Sequence, residues 1–245
     1  MKLDYGAVPQ FDVAIFGYTP LVTSRTAWTI VAVAALQSFD IVFATRIYRQ
    51  IFGDAGMVMT LNRIAAVEEL TELSAHLCVI FNDFQRAHDL FLASSNPKEA
   101  LYLAIDIMDF PNALLLAAKY EPGWHSEVAL DFATQLEMDG KISESHTMFE
   151  EALSTFKDFK QSNTSGTRAQ HLTRCQSGYT RATLRSGDIP LGMKLLQKME
   201  SDPQLFLDCA RILEELKQYN EAAQIYERAE KWESAAEIWI KCKFV

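Results

Sequence analysis

An all-α fold made of stacked helical hairpins, an irregular α-solenoid, is what this 245-residue sequence predicts. Three observations carry that prediction. Alanine, leucine and glutamate, all good helix formers, are abundant, while ten glycines and seven prolines are few for a many-turned β-sandwich. A three-point stripe recurs: an apolar residue, a small one three positions on, and an apolar one four further along. A short polar turn precedes each copy.

The stripe occurs seven times: Ile41/Ala44/Tyr48, Phe84/Ala87/Phe91, Phe110/Ala113/Ala117, Ile142/Ser145/Phe149, Ile189/Gly192/Leu196, Tyr219/Ala222/Tyr226 and Trp232/Ala235/Trp239. Positions i, i+3 and i+7 share one face of a helix. A small middle residue lets a neighbouring helix approach, and the flanking apolar side chains fill the space beside the crossing. The packing residues of this scheme are Ala44, Ala87, Ala113, Ser145, Gly192, Ala222 and Ala235, with Tyr219, Tyr226, Trp232 and Trp239 around the last two. The turns before the copies are Ser38-Phe39-Asp40, Asn82-Asp83, Met108-Asp109, Asp139-Gly140-Lys141, Ser186-Gly187-Asp188, Lys217-Gln218 and Glu230-Lys231. Their Asp, Asn and Gly residues suit the end of one helix and the cap of the next. Helix, tight turn, helix with a small residue near its start is tetratricopeptide-like. The copies begin at residues 41, 84, 110, 142, 189, 219 and 232, so their spacing is too uneven for a regular repeat of about 34 residues.

Taken in order, residues 1–25 carry Val8-Pro9, Gly17 and Thr19-Pro20, which break any helical period, and no element is assigned there. The tetratricopeptide-like region is placed at 26–245. The apolar run at 27–36 (AWTIVAVAAL) is shorter than the ~20 residues that a membrane span requires. Amphipathic segments at 69–81, 126–138, 170–184 and 204–216 supply the first helices of hairpins. Glu121-Pro122-Gly123 reads as a turn. The stretch at 157–167 (KDFKQSNTSGT) is expected to be a mobile inter-helix loop. Asp202 before Pro203 reads as a helix cap followed by proline at the first helical position. In the last hairpin Ala222 is expected at the crossing and Arg228 on the solvent side.

The formal net charge of -9 disfavours nucleic acid and anionic membrane as partners. No secretory signal and no transmembrane segment are read, so the chain is expected to be soluble. Cys78, Cys175, Cys209 and Cys242 lie far apart, which points to reduced thiols. His76, His88, His125, His146 and His171 fall in no metal-ligand spacing, and no phosphate loop, nucleophile elbow or dinucleotide fingerprint is present. Glu150-Glu151 and Glu214-Glu215 are adjacent and diverge around a helix, unlike an acid–base pair. The expectation is a protein that is not an enzyme and holds no cofactor or metal.

Three stretches carry a family resemblance: MVMTLNRI…LSAHLCVIFNDFQRAHDLFLASSNPKEAL (57–101), EVALDFATQLEMDGKISESHTMFEEAL (127–153) and DCARILEELKQYNEAAQIYERAEKWESAAEIWIKCK (208–243). The most specific pieces are DLFLASSNPKEAL, the phrase around AxQLExxGK, and AAQIYE followed by SAAEIWIKCK. In this order they resemble the helical-repeat region of the intraflagellar transport protein 144 family, also called WD repeat-containing protein 19. The resemblance covers residues 28–243. Members of that family begin with β-propellers and end in a cysteine-rich region, neither of which occurs here. The chain is therefore expected to be a fragment of a longer array, with the echo at 219 and 232 cut in mid-stack.

The resemblance implies a non-catalytic scaffold subunit of intraflagellar transport complex A. It implies a place at the cilium and ciliary base, on the cytoplasmic side, in retrograde transport and delivery of ciliary membrane proteins. The implied partners are the other subunits of that complex and adaptors for membrane-protein cargo. Competing readings are a vesicle-coat or other membrane-trafficking solenoid, a protein using residues 27–36 as an interfacial anchor, and a regulatory subunit of an enzyme.

Overall fold

The computed structural model describes residues 24–156, 165–199 and 202–243. Its α-helices are α1 (Arg25–Gln37), α2 (Ile41–Ile47), α3 (Ala55–Ile64), α4 (Leu70–Ile80), α5 (Phe84–Ala93), α6 (Lys98–Asp106) and α7 (Phe110–Tyr120). They continue with α8 (His125–Met138), α9 (Ile142–Thr155), α10 (Ser165–Arg185), α11 (Ile189–Lys198), α12 (Pro203–Glu215), α13 (Tyr219–Arg228) and α14 (Trp232–Lys243). A π-helical turn (Tyr48–Phe52) extends α2, and a 3₁₀ turn (Pro122–Trp124) leads into α8. The described residues contain no strand, and the fold is all-α, of the α-solenoid class. The described residues divide into two compact units, one up to residue 103 and one from residue 104, with the boundary inside α6.

In the first unit, α1 and α2 form a hairpin around Trp28, Ala32, Ala35 and Leu36 on one side and Ile41, Phe43, Ala44 and Ile47 on the other. Leu61 and Ile64 of α3 and Leu77 of α4 close this cluster. The apolar run at 27–36 therefore supplies a core stripe. Trp28 is 4% exposed and Leu36 is fully buried, whereas Ile30 on the opposite face is 71% exposed. A helix that turns its large apolar side chains to its own core has little left for a bilayer surface, which speaks against the interfacial-anchor reading. Beyond α2, Gly53 takes a left-handed φ of 65°, and the Asp54 amide donates to the Tyr48 carbonyl at 3.1 Å. The Asp54 side chain then caps α3 by accepting from the Met57 amide at 2.9 Å. In the α4–α5 hairpin His76 is half-buried, with its ring edge-on to Phe91 at 4.9 Å between centroids.

In the second unit each helix from α8 to α14 packs on the one before it, except at the break between α11 and α12, where α12 packs on α10. One core cluster joins Ala129, Leu130 and Ala133 of α8, Phe149 and Ala152 of α9, and Cys175 and Ala182 of α10. Another runs from Leu184 at the end of α10 through Leu196 of α11 and six residues of α12 to Ala222, Tyr226, Ala235 and Ile238. Helix α10, 21 residues long, belongs to both clusters. It buries one stretch against the preceding pair and another against the following one, which is how a stacked array grows.

The amphipathic segments read from periodicity match α4, α8, α10 and α12 in order. Helices α1, α3 and α6 were not assigned from the sequence: none of the seven stripes and none of the four amphipathic segments falls on them. Residues 157–164 of the expected loop lie outside the described residues, and 165–167 begin α10 instead of ending a loop. Residues 1–23 also lie outside them, and α1 begins at Arg25. No helix among the described residues is long and apolar enough to cross a membrane. All four cysteines are free thiols, and burial pushes those of Cys175 and Cys209 up to about 12.

Candidate functional site: the hairpin turns and crossings

All seven turns have one backbone geometry. The residue two before each helix start has a left-handed φ: Phe39, Asn82, Met108, Gly140, Gly187, Lys217 and Glu230, at 57° to 92°. The next amide reaches back to the carbonyl five residues earlier. Asp40 donates to Ala35, Asp83 to Cys78, Asp109 to Ala104, Lys141 to Leu136, Asp188 to Thr183, Gln218 to Leu213 and Lys231 to Tyr226, at 2.8–3.3 Å. This is the Schellman closure of a helix end. The residue that completes it is also the N-cap of the following helix. Its carbonyl accepts from the amide of the small residue: Ala44, Ala87, Ala113, Ser145, Gly192, Ala222 and Ala235. In Asp40, Asp83 and Asp188 the side chain caps as well, accepting from the Phe43, Arg86 and Leu191 amides at 2.9–3.3 Å. Asp202 does the same for Gln204 and Leu205 beside Pro203.

Because only three residues separate the two helices, the first turn of the second helix is pressed against the end of the first. The small residues stand there. Ala44, Ala87, Ala113 and Ala222 are fully buried, Ser145 is 1% exposed and Ala235 2%. Gly192 is buried too, and a Cβ on it would fall 2.3 Å from Leu184 Cδ2 and 2.6 Å from Cγ. The aromatic positions divide. Tyr226 is 6% exposed, Tyr219 and Trp239 are half-buried against the last cluster, and the Trp239 indole N–H donates to Glu227 at 2.8 Å. Trp232 differs, at 65% exposed. Helix α14 meets α13 through Ala235 and Ile238, and Trp232 stands on the other side of that line. Arg228, expected on the solvent side, is exposed but holds its guanidinium 4.7 Å above the Phe206 ring and reaches the Leu196 carbonyl at 3.4 Å.

Three polar arrangements join helices in the second unit, two of them largely buried and the third exposed. The Glu137 carboxylate, 11% exposed, accepts from Arg181 Nε (2.9 Å) and Nη2 (2.8 Å) and from Arg185 Nη1 (2.6 Å), tying α8 to α10. Hydrogen bonding to Glu137 raises the Arg181 guanidinium further above its ordinary range. Glu137 is the glutamate of the AxQLExxGK phrase. The Ser126 hydroxyl donates to the Ala152 carbonyl at 2.8 Å, and His171 Nε2 stands 2.8 Å from the same hydroxyl, an arrangement satisfied when Nε2 carries the imidazole proton. Burial, aided by Arg174, holds His171 below the usual histidine range. On the outer side of α8, burial raises the carboxyls of Glu127 and Asp131, with Arg174 3.6 Å from Asp131.

Sequence reasoning missed Gly178, in the middle of α10. A Cβ there would lie 2.2 Å from Phe149 Cε1. The signal was present: a lone glycine inside a long helical pattern usually has a packing reason. No group of three or more His, Cys, Asp or Glu side chains among the described residues is arranged to hold a metal ion. The arrangement is one turn geometry with one small, buried residue behind it.

No protein-family profile matches the chain. It is 34% identical over 223 residues, 91% of its length, to WD repeat-containing protein 19 of Mus musculus. It is 33% identical over the same share to WD repeat-containing protein 19 of Homo sapiens. It is 34% identical over 214 residues, 87% of its length, to WD repeat-containing protein dyf-2 of Caenorhabditis elegans. The chain spans 16%, 16% and 15% of these relatives' own lengths.

Proposed function

This chain belongs to the WD repeat-containing protein 19 family over the segment it spans, and from that premise we propose that it is a non-catalytic scaffold segment of intraflagellar transport complex A. In this reading residues 26–245 are one tetratricopeptide-like region that binds other subunits of the complex, and cargo adaptors beyond them. Its place is the cilium and ciliary base, on the cytoplasmic side, in retrograde transport and membrane-protein delivery.

The observation that carries the reading is the sevenfold repetition of one turn with one small buried residue behind it. Within each unit, repeating a single connection sets successive helices at similar spacing and leaves their outer faces free for other proteins. Ala44, Ala87, Ala113, Ser145, Gly192, Ala222 and Ala235 are the residues that set that spacing, with Tyr219, Tyr226 and Trp239 packed beside the last two.

Reconstitution tests it. The tagged 245-residue chain is mixed with purified subunits of intraflagellar transport complex A and run on size exclusion. Co-elution with at least one subunit is expected. Elution of the chain alone at every subunit concentration would overturn the proposal. Co-elution with a vesicle-coat subunit in its place would favour the trafficking-coat alternative.

A further inference from the structure

We propose that a groove between the first turns of α9 and the end of α10 binds a phosphate ester carried by a partner protein, the side chain of a phosphoserine or phosphothreonine. The inference rests on the scaffold reading and names the chemistry by which one partner is held.

Six residues line the groove, whose volume is about 400 Å³: Ile142, Ser143, His146 and Thr147 of α9, and Arg185 and Ser186 where α10 ends. Both helices belong to the second unit and pack on each other. Ser143 and His146 are three residues apart and share one face of α9. No carboxylate is among the six. The Thr147 and Ser186 hydroxyls are engaged, donating to the Ser143 carbonyl at 3.1 Å and to the Thr183 carbonyl at 2.7 Å. The other three polar side chains keep donors in hand. Among the described residues, the Ser143 hydroxyl and the His146 ring nitrogens make no hydrogen bond, and the imidazole is held by the Tyr179 ring, 4.8 Å between centroids. Arg185 donates to Glu137 through Nη1 at 2.6 Å, which leaves Nε and Nη2.

The charge at this place is in excess of what the fold uses. Arg181 already holds the Glu137 carboxylate through both Nε and Nη2. Two guanidinium groups on one carboxylate leave a positive charge over, and Arg185, a third exposed, is the less engaged of the two. Asp208 also acts on Arg181, but it is shared with Arg211 at 3.8 Å. Glu144, Glu150 and Asp188 stand near in sequence; all three are exposed and outside the lining, so water screens them. The Asp188 carboxylate, moreover, accepts from the Leu191 amide at 3.1 Å.

A guanidinium edge facing a hydroxyl and an imidazole on the neighbouring helix is a donor set for a tetrahedral oxyanion. The lining then narrows the source. Ile142 is its one apolar residue, so the base of a nucleotide has no wall to lie on. The net charge of -9 repels an anionic lipid surface. A single phosphorylated side chain reaching in from a neighbouring protein meets both conditions.

The test is histidine-selective NMR of the full chain, titrated with an alanine–glycine peptide carrying one phosphoserine and with its unphosphorylated counterpart. The His146 ring signal, identified by its loss in His146→Gln, should shift saturably with the phosphopeptide and stay in place with the serine peptide. Ser143→Asp sets a negative charge in the groove; an acidic residue in the first turn suits a helix, so its melting temperature should be unchanged or higher. It should bind the phosphopeptide about tenfold more weakly. Gln224→Glu, which adds the same charge at an exposed position of α13, should leave the affinity unchanged. An unmoved His146 signal overturns the proposal, as do equal shifts with the serine peptide, equal affinity in Ser143→Asp, or an equal loss in Gln224→Glu. Flotation with phosphoinositide-containing vesicles covers the other source: binding that Ser143→Asp abolishes, without a phosphopeptide shift, assigns the groove to a lipid headgroup and overturns the proposal too. In the subunit reconstitution Ser143→Asp should co-elute less than the wild type. Undiminished co-elution removes the groove as a partner site and leaves the scaffold reading standing. Failure of the wild type to co-elute removes the scaffold reading itself.

Discussion

Phe149 of α9 lays its ring over the bare Cα of Gly178 in α10, so close that a Cβ at residue 178 would stand 2.2 Å from Cε1 and 2.4 Å from Cζ. The ring is 1% exposed. Two effects oppose each other in Gly178→Ala. Alanine gains about 1 kcal/mol of helix propensity over glycine, while overpacking a close-packed crossing costs about 1–3 kcal/mol. Overpacking should win, lowering the melting temperature. In a Phe149→Leu background, where the ring is gone, the same change should cost less or become stabilising. A double-mutant cycle by chemical denaturation reads the difference.

Glycine should help at the left-handed turn positions. Lys217 and Glu230 have φ of 60° and 57°. Lys217→Gly and Glu230→Gly each relieve that strain, less the larger chain entropy of glycine in the unfolded state, for a net gain of about 0.5–1 kcal/mol. Thermal melts of the two variants check it; a loss of stability in both would remove the role assigned to the left-handed residue.

Glu137 holds two arginines from within the second unit. Glu137→Gln keeps the shape but leaves Arg181 and Arg185 facing each other without a counter-charge. A loss of about 1–3 kcal/mol is expected, below the figure for fully buried pairs because Arg185 is a third exposed. Asp131→Asn, at the exposed pair with Arg174, should cost less than about 0.5 kcal/mol. Urea titrations of the two variants give the comparison.

His171 sets a pH dependence. Its folded-state pKa is depressed by burial, so below the unfolded value of about 6.5 the unfolded chain binds more protons than the folded one. Stability from this residue is complete above that pH and falls as the medium becomes more acid, until the folded pKa is passed. Glu127 and Asp131, whose carboxyls are raised by burial, act in the opposite sense. The readout is therefore a difference: between pH 7 and pH 5 the wild type should lose more melting temperature than His171→Gln.

At the last crossing, Ala222→Arg should destabilise by about 3–5 kcal/mol, since the position is fully buried and the new charge has no partner. Gln224→Ala, exposed on the same helix, should change stability by less than about 0.5 kcal/mol. Arg228 makes a poorer control because it covers the Phe206 ring. Equal melting temperatures for the Ala222 and Gln224 variants would remove the crossing from that segment.

Much of the fold was legible because its signals are local. A helix stripe spans seven residues, and a Schellman turn is closed by hydrogen bonds between residues five apart or fewer. Helix α6 follows no such turn, and α3 follows a wider one, in which Asp54 behind the left-handed Gly53 reaches back six residues to Tyr48, so neither was assigned. The apolar run at 27–36 read equally well as core or as anchor, since hydropathy says that a face must be buried and not against what.

The chain's sequence by itself determined the all-α class, the seven turns, the small residue behind each and the family. These depend on backbone closure, helical periodicity and short motifs, all contained in contiguous residues. Only the tertiary structure decided which aromatic side chains are covered: Tyr226 at 6% exposed and Trp232 at 65% occupy opposite ends of one repeated pattern. It alone paired Glu137 with arginines 44 and 48 residues away, and Ser126 with a histidine 45 residues away. Which side chains meet across such separations is set by how helices of unequal length stack, a sum of many weak contacts that no single stretch of the chain contains.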